Sequence, residues 1–202
     1  MAISLKKWQK MFDVTADLLL EHADELSRID AVIGDGDHGL TIAKIAKLMK
    51  EKCALEYTTA SEFFDDLGWD AINVQGGSAG PLFGTYIMGM KNAPEGASAA
   101  TVMECALKEL QSISKAVIGE KTMMDAIIPA TEAMKEAKTD AESLEAAARA
   151  AKAGSEATAN FAAKYGRAKN YGEKSLGVKD AGSCSMALIF EGLKTGYERY
   201  KE

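Results

Sequence analysis

The chain has 202 residues, enough for one domain with a sizeable core, and a formal net charge of −6 at pH 7. An acidic chain without a basic run lacks the positive face that nucleic-acid phosphates require. No apolar run reaches the roughly 18 residues of a membrane span. We therefore predict one domain over residues 1–202 of a cytoplasmic protein that binds neither nucleic acid nor membranes. The scattered Cys53, Cys105 and Cys184 fit reduced thiols in that compartment.

Apolar periodicity and an alanine-rich composition predict helix along most of the chain. About eight helices with short connections predict an all-α, up-and-down antiparallel bundle or barrel. In chain order the predicted helices cover residues 4–28, about Leu40 to Cys53, Thr59 or Ser61 to Ile72, a stretch after Gly76-Gly77 to about Asn92, Ser98 or Thr101 to about Val117, Met123 to about Ala137, 140–165 and 182–200.

Three carboxylates occur in the connection between the first two predicted helices. Asp30, Asp35 and Asp37 stand among Gly34 and Gly36, whose freedom to adopt positive φ lets the side chains converge. Converging carboxylates repel one another unless a hard cation neutralises them, and Mg²⁺ prefers such oxygen ligands. The sequence predicts a magnesium site, with an acidic helix-capping turn as the alternative. The residue order does not fit an EF-hand.

Two polar residues that follow the acidic turn are candidates for contacts with a ligand. His38 can donate to a phosphate or close the turn through a hydrogen bond, and both roles are favoured over metal ligation because Mg²⁺ selects oxygen. Thr41 can add a hydroxyl near the same phosphate. His22 is interpreted as an ordinary surface residue of the first helix.

The segment Gly76-Gly77-Ser78-Ala79-Gly80 leads into a predicted helix. Free backbone N–H groups and the helix dipole at such a start suit a phosphate, whereas close packing between helices is the alternative. No strand precedes the segment and it lacks the P-loop lysine, so it is not a P-loop. Ser78 has no His–Asp partner pattern, which argues against a serine hydrolase.

Every second connection of an antiparallel bundle lies at the same end. This rule places 30–39, 76–80, 119–122 and the flap, which we define as residues 166–181, around one rim. The flap is long and contains several glycines and basic residues, so it is interpreted as functional, with a mobile surface linker as the alternative. A metal turn beside phosphate-binding amides is typical of phosphoryl-transfer sites.

Four motifs in order, IGDGDHG (33–39), GGSAGPLFG (76–84), GEKTMMD (119–125) and GRAKNYGEKSLGVKDAG (166–182), resemble the L-subunit family of dihydroxyacetone kinases. The resemblance extends from end to end. It implies an eight-helix barrel that holds ADP or ATP at one rim through two Mg²⁺ ions, with Asp30, Asp35 and Asp37 as metal ligands. The nucleotide-binding residues that it implies are His38, Gly39, Leu40, Thr41, Ser78, Ala79, Met123, Arg167, Asp180, Ala181 and Gly182.

The resemblance also implies partners. Without a fused substrate domain, the chain is similar to the phosphotransferase-system-dependent form, which divides the kinase among subunits. A K subunit binds dihydroxyacetone, and a phosphohistidine on an M subunit rephosphorylates the bound ADP. This subunit would supply the metal–nucleotide centre and no other catalytic group, in a homodimer or a heteromeric complex. A transcription regulator is a further expected partner.

Some positions depart from the family pattern. Ser78-Ala79 displaces a hydroxyl by one residue, and Lys174, Val178 and Ala181 stand where arginine, histidine and proline are common. Lysine cannot reproduce a bidentate guanidinium contact, and Ala181 should leave the flap looser. The alternative hypotheses are a nucleotide-sensing regulatory module, an ATP-dependent kinase subunit for a related keto-triose or tetrose, and an unrelated Ca²⁺- or phosphate-binding protein.

Overall fold

A computed structural model describes residues 3–200, which form nine α-helices and contain no strand. The all-α prediction is therefore confirmed. No helix within the described range combines the length and apolar character needed to cross a bilayer. The helices are α1 (Leu5–Glu21), α2 (Ala23–Ile33), α3 (His38–Cys53), α4 (Ala60–Ile72), α5 (Ala79–Gly89), α6 (Ala99–Ile113), α7 (Met124–Met134), α8 (Asp140–Ala157) and α9 (Ala181–Arg199).

Several of the helices start with a side-chain cap. Ser4, Thr59, Ser98 and Thr139 precede α1, α4, α6 and α8, and each side-chain oxygen accepts a hydrogen bond from the backbone N–H three residues later. A cap of this kind satisfies a donor that has no partner inside the helix. In an antiparallel bundle these four starts share one end, opposite the rim that carries the predicted site.

The core is apolar and includes an aromatic group from α1 and α4. Trp8 meets Phe64 edge-to-face at 5.3 Å between ring centroids, and Phe12 meets Phe63 at 5.4 Å. All four rings are buried, and edge-to-face pairs of this kind add to the stabilisation from burial. This group anchors α4 against the first helix.

The first and last helices pack directly on each other, which closes the bundle. Gly192 and Gly196 of α9 permit the approach. A Cβ atom added to either glycine would lie 2.6 Å from a Cα atom of α1, that of Thr15 for Gly192 and that of Met11 for Gly196. A rotation of a side chain cannot relieve an overlap with backbone atoms. Any residue other than glycine at these two positions would therefore force the helices apart.

The first predicted helix differs from the structure. A single helix over 4–28 was expected, but the chain breaks at His22, whose φ of −98° and ψ of 4° end α1, and α2 continues to Ile33. The break raises the count from eight helices to nine. It also places Asp30 in the last turn of α2, rather than in the acidic turn itself.

Three other predictions were wrong in their limits. The helix expected to reach Val117 ends at Ile113 because Ser114 is extended, and the helix expected over 140–165 ends at Ala157. A 3₁₀ turn, Thr158–Asn160, follows it, and the Thr158 hydroxyl donates to Ser155 O. The flap is not wholly irregular, because Ala168–Ser175 is 3₁₀-helical around a break at Gly172.

We predict that Gly192→Ala lowers the free energy of unfolding by about 1–3 kcal/mol, because the new methyl group would overlap Thr15. Alanine has the higher helix propensity by about 1 kcal/mol, so any loss must come from the contact between α1 and α9. Urea unfolding measures the change. Glu198→Ala on the exposed side of α9 is the control and should stay within about 0.5 kcal/mol. A stabilised Gly192→Ala protein would contradict the described packing.

Candidate metal and phosphate site

A cavity of about 490 Å³ opens at the rim where the four predicted connections were expected to meet. Its lining includes residues from the acidic turn, the glycine segment, the 113–124 stretch and the flap, which confirms that these segments converge. Phe83, Ile113 and Met123 give part of the wall an apolar character. A cavity of this size with a few convergent polar groups is typical of small-molecule sites.

The three aspartates converge in this cavity. One carboxylate oxygen from each of Asp30, Asp35 and Asp37 lies within 4.8 Å of the others. Burial, followed by the negative charges of Asp35 and Asp30, raises the pKa of Asp37 above its ordinary value. A divalent cation would relieve that repulsion, and carboxylate oxygens are the ligands that Mg²⁺ prefers. The donor set therefore fits the metal.

The flap reaches the acidic turn through Arg167. Its guanidinium forms an ion pair with Asp35, and its positive charge also opposes the rise in the pKa of Asp37. Both partners of the ion pair are partly exposed, so the contact contributes little to stability. It does bring the flap over the carboxylate cluster.

Two helices begin at the cavity without a side-chain cap. The residues before α3 and α5 are Asp37 and Ser78, and neither side chain makes a capping hydrogen bond. The backbone N–H groups of these first turns, together with the helix dipole, suit anionic oxygen. Gly77, at φ 54°, turns the chain into α5, with open space where a Cβ atom would stand.

Close packing explains other glycines of the predicted phosphate segment. A Cβ atom on Gly76 would overlap the Thr41 side chain, and one on Gly80 would lie 2.5 Å from Val74 O. The packing alternative therefore holds for two glycines of the segment, and the phosphate interpretation stays a prediction. Gly76 and Gly80 permit contact between helices, whereas Gly77 shapes the open turn.

His38 serves as a link between helices. Its Nε2 lies 2.5 Å from the Ser185 hydroxyl, which donates its one proton to Ala181 O at 2.8 Å. Nε2–H must therefore be the donor to Ser185, a tautomer assigned from the hydrogen-bond network. Burial lowers the pKa of His38, so the imidazole is neutral. It joins the start of α3 to α9 beside the acidic turn.

The structure places most of the predicted site residues around the cavity. Its lining includes Asp30, Asp35, Asp37, His38, Ser78, Ala79, Met123, Arg167, Asp180, Ala181 and Gly182. Gly39, Leu40 and Thr41 are not among the lining residues. Gly39 is buried where a Cβ atom would overlap Ala23 O, Thr41 is buried against Gly76, and the Leu40 residue is 63% exposed.

Sequence reasoning assigned no role to Lys121, Asp125 or Ser185. Asp125 is buried and accepts hydrogen bonds from Gly119 N at 2.6 Å and Thr122 N at 2.7 Å. It thereby shapes the 119–122 turn. The spacing of an acidic residue three positions after Thr122, at the start of a helix, is a sequence signal that could have indicated such a cap.

Asp180 is the second acidic group of this wall. Its carboxylate caps α9 by accepting from Ser183 N at 2.6 Å. Burial raises the pKa of Asp180 from 3.8 to about 7, and the negative charge of Asp125 adds to the rise, although the hydrogen bond from Ser183 N and the positive charge of Lys121 oppose it. Its carboxyl group therefore exchanges a proton near neutral pH.

Comparisons with known proteins agree on one family. The family model described as "DAK2 domain" matches residues 32–195. The chain is 33% identical to a D-erythrulose kinase of Mycolicibacterium smegmatis over 89% of this chain and 33% of that protein. It is 31% identical to an enzyme subunit of Listeria innocua, "PEP-dependent dihydroxyacetone kinase 1, ADP-binding subunit DhaL", over 86% of this chain and 87% of that subunit.

A solved structure shows the same fold. The dihydroxyacetone kinase from C. freundii, crystallised with AMP-PNP and Mg²⁺, aligns with a TM-score of 0.76 and 26% identity, over 93% of this chain and 33% of that one. The chain thus spans about a third of the length of this kinase and of the erythrulose kinase, but most of the length of the Listeria subunit.

We predict that stability depends on pH through Asp180. Because its folded pKa is raised, the folded state holds the proton more tightly than the unfolded state does. This contribution is complete below the unfolded pKa and is lost as pH rises towards about 7. Asp180→Asn keeps a capping oxygen and removes the charge. Water in the cavity weakens the effect. As pH rises from about 5 to about 8, we expect the free energy of unfolding of the variant to increase by about 2 kcal/mol relative to that of wild type.

Urea unfolding of the metal-free protein at both pH values measures this gain. Asp24→Asn on the exposed side of α2 is the matched control and should follow wild type at both. If the Asp180→Asn protein loses stability relative to wild type as pH rises, the assigned direction of the pKa shift is wrong.

Proposed function

The chain belongs to the DAK2 domain family, and from this membership we propose that it is the ADP- or ATP-binding subunit of a dihydroxyacetone kinase. The observation that carries the proposal is the cluster of Asp30, Asp35 and Asp37, whose carboxylate oxygens lie within 4.8 Å of one another. Two uncapped helix starts open into the same cavity. Metal ligands beside helix N-termini suit a magnesium–nucleotide complex.

Each part of the cavity has a role in this proposal. The three aspartates would hold two Mg²⁺ ions, and the starts of α3 and α5, with His38, Ser78 and Ala79 at the cavity, would donate to the phosphates. Met123 would pack against the adenine, while Arg167 and the Asp180–Gly182 turn would close over the nucleotide. Bound Mg²⁺ would neutralise charge on the phosphates during phosphoryl transfer.

The substrate and the phosphoryl donor would lie on other subunits. We propose a K subunit that binds dihydroxyacetone and an M subunit whose phosphohistidine rephosphorylates ADP in place. Relatives named as PEP- or PTS-dependent ADP-binding subunits, from Listeria innocua and Lactococcus lactis, support this division. A homodimer or heteromeric complex, and contact with a transcription regulator, belong to the same proposal.

A four-carbon ketose is a second candidate substrate. Relatives named D-erythrulose kinase and L-erythrulose kinase are each 33% identical to this chain. Their identity is similar to that of the dihydroxyacetone kinase subunits, so the nucleotide-binding region is compatible with either sugar. In this proposal the K subunit selects the sugar, because it carries the substrate hydroxyl and the base that activates it.

We predict that Asp35→Ala and Asp37→Ala each weaken Mg²⁺-dependent ADP binding by at least about 100-fold. Loss of a group that only supports a metal ligand already costs about 10–100-fold in metal affinity, and these residues would be ligands themselves. Calorimetry with ADP, in Mg²⁺ and in EDTA, provides the measurement. Asp24→Ala, on an exposed part of α2, is the control and should bind as wild type does. Wild-type affinity in either cluster variant would rule out the metal assignment.

We also predict that the chain alone phosphorylates no sugar and becomes active once a K subunit is added. Mass-spectrometric detection of sugar phosphate, with dihydroxyacetone and with erythrulose, measures this. Parallel reactions with ATP and with a phosphorylated M subunit identify the donor. Sugar phosphorylation by the isolated chain would contradict the division of labour. Inactivity with every K subunit, combined with binding to a DNA-binding regulator, would favour the regulatory module.

A further inference from the structure

Lys121 connects the 119–122 turn to both ends of the segment that carries the flap. Its ammonium donates to Thr158 O at 2.6 Å, to Phe161 O at 3.2 Å and to Val178 O. Thr158 and Phe161 precede the flap, whereas Val178 lies near its end. An ammonium has three N–H donors, so one side chain uses its full hydrogen-bonding capacity across the base of this loop.

Backbone contacts reinforce the same junction. Lys164 N donates to Glu120 O at 3.2 Å, and Gly177 N donates to Ala159 O at 2.8 Å. The two segments at the base of the loop are therefore hydrogen-bonded to each other and to the residue before Lys121. The loop therefore has a narrow base, as in compact surface loops whose ends are close together.

The position is costly for a lysine. Only 2% of the residue is exposed, and burial lowers the pKa of its ammonium although Asp180 and Asp125 favour the charged form. Its φ of 58° also lies in the left-handed region, where residues other than glycine are uncommon. A buried cation costs free energy unless hydrogen bonds satisfy it, and here three carbonyl groups do so. The three carbonyl groups are therefore placed to accept hydrogen bonds from the ammonium of Lys121.

The outer part of the loop covers the cavity. Tyr165, Gly166, Arg167 and Ala168 line it, and Arg167 reaches Asp35 of the acidic cluster. The base of the loop contributes to their placement, and the hydrogen bond from Ala163 N to Ser175 Oγ at 3.0 Å links the same base to the buried end of the 3₁₀ turn Ala168–Ser175. A change at the base would therefore move the residues that face the ligand.

We propose that Lys121 is a positioning residue that holds the flap over the cavity and thereby slows the release of a bound nucleotide. The ligand named here rests on the proposed function, whereas the anchoring itself does not. Lys121 would act through the flap without touching the phosphates. The retention of ADP for repeated rephosphorylation would then depend on a side chain outside the metal centre.

The first experiment is hydrogen–deuterium exchange on the nucleotide-free protein. Lys121→Met keeps the Cβ atom and the aliphatic stem, so backbone strain is unchanged and only the ammonium is lost. Hydrogen bonds to a charged group contribute about 1.5–3 kcal/mol, so we expect amides of residues 161–178 to exchange about 10- to 100-fold faster. Amides of α1 and α9 should exchange as in wild type. Lys152→Met, which removes an exposed lysine of α8, is the control and should leave the flap unchanged.

The second experiment measures release of a fluorescent ADP analogue from the Mg²⁺-loaded protein by stopped flow. Lys121→Met should release it about tenfold faster or more, with little change in the association rate. Lys121→Arg keeps the charge and several donors, so its release rate should lie between those of wild type and Lys121→Met. A purely structural role would give no such partial rescue of the release rate at equal melting temperature.

The outcomes separate the two proposals. If wild type does not bind the analogue, the proposed function fails, while the exchange experiment still decides whether Lys121 anchors the flap. Unchanged flap exchange in Lys121→Met, or faster exchange throughout the protein, would overturn the anchoring role. Faster flap exchange with an unchanged release rate would overturn the role in retention. If Lys121→Met does not fold, Lys121→Gln is measured by the same two criteria.

Discussion

Repulsion among three carboxylates is the constraint on which the rest of the site depends. Asp30 is held by the last turn of α2, whereas Asp35 and Asp37 are held by a turn in which Gly36 adopts a φ of 75°. The backbone thus keeps like charges close, and their repulsion adds to the effect of burial in raising the pKa of Asp37. A divalent cation relieves this repulsion, which favours its binding. A ligand that binds only the folded state also stabilises that state. Metal binding should therefore also raise the local stability of the rim.

Side-chain caps are distributed unevenly between the two ends of the bundle. At the end opposite the site, α1, α4, α6 and α8 begin with side-chain caps, which satisfy donors locally. At the cavity, α3 and α5 begin without them. Donors without a cap need water or a ligand. At the cavity, the residues before α3 and α5 leave such donors to a ligand, whereas Asp180 caps α9 at the opposite wall.

Local patterns predicted much of this arrangement, and contacts distant in sequence explain the rest. Periodicity gave the helices, and alternation of their directions gave the shared rim. The carboxylate cluster was found because its members lie within eight positions of one another. Lys121 could not be found this way, since its acceptors lie 37, 40 and 57 residues away. The contact of His38 with Ser185 spans 147 residues. Gly39 matched a binding motif, yet its burial against α2 is a packing requirement that the motif does not reveal.

A crystal structure grown with Mg²⁺ and ADP tests the central claim most directly. The account predicts two cations bridging the diphosphate and the oxygens of Asp30, Asp35 and Asp37, with Arg167 released from Asp35 to the nucleotide. Nucleotide bound elsewhere, or the three side chains turned apart with no cation between them, would contradict it.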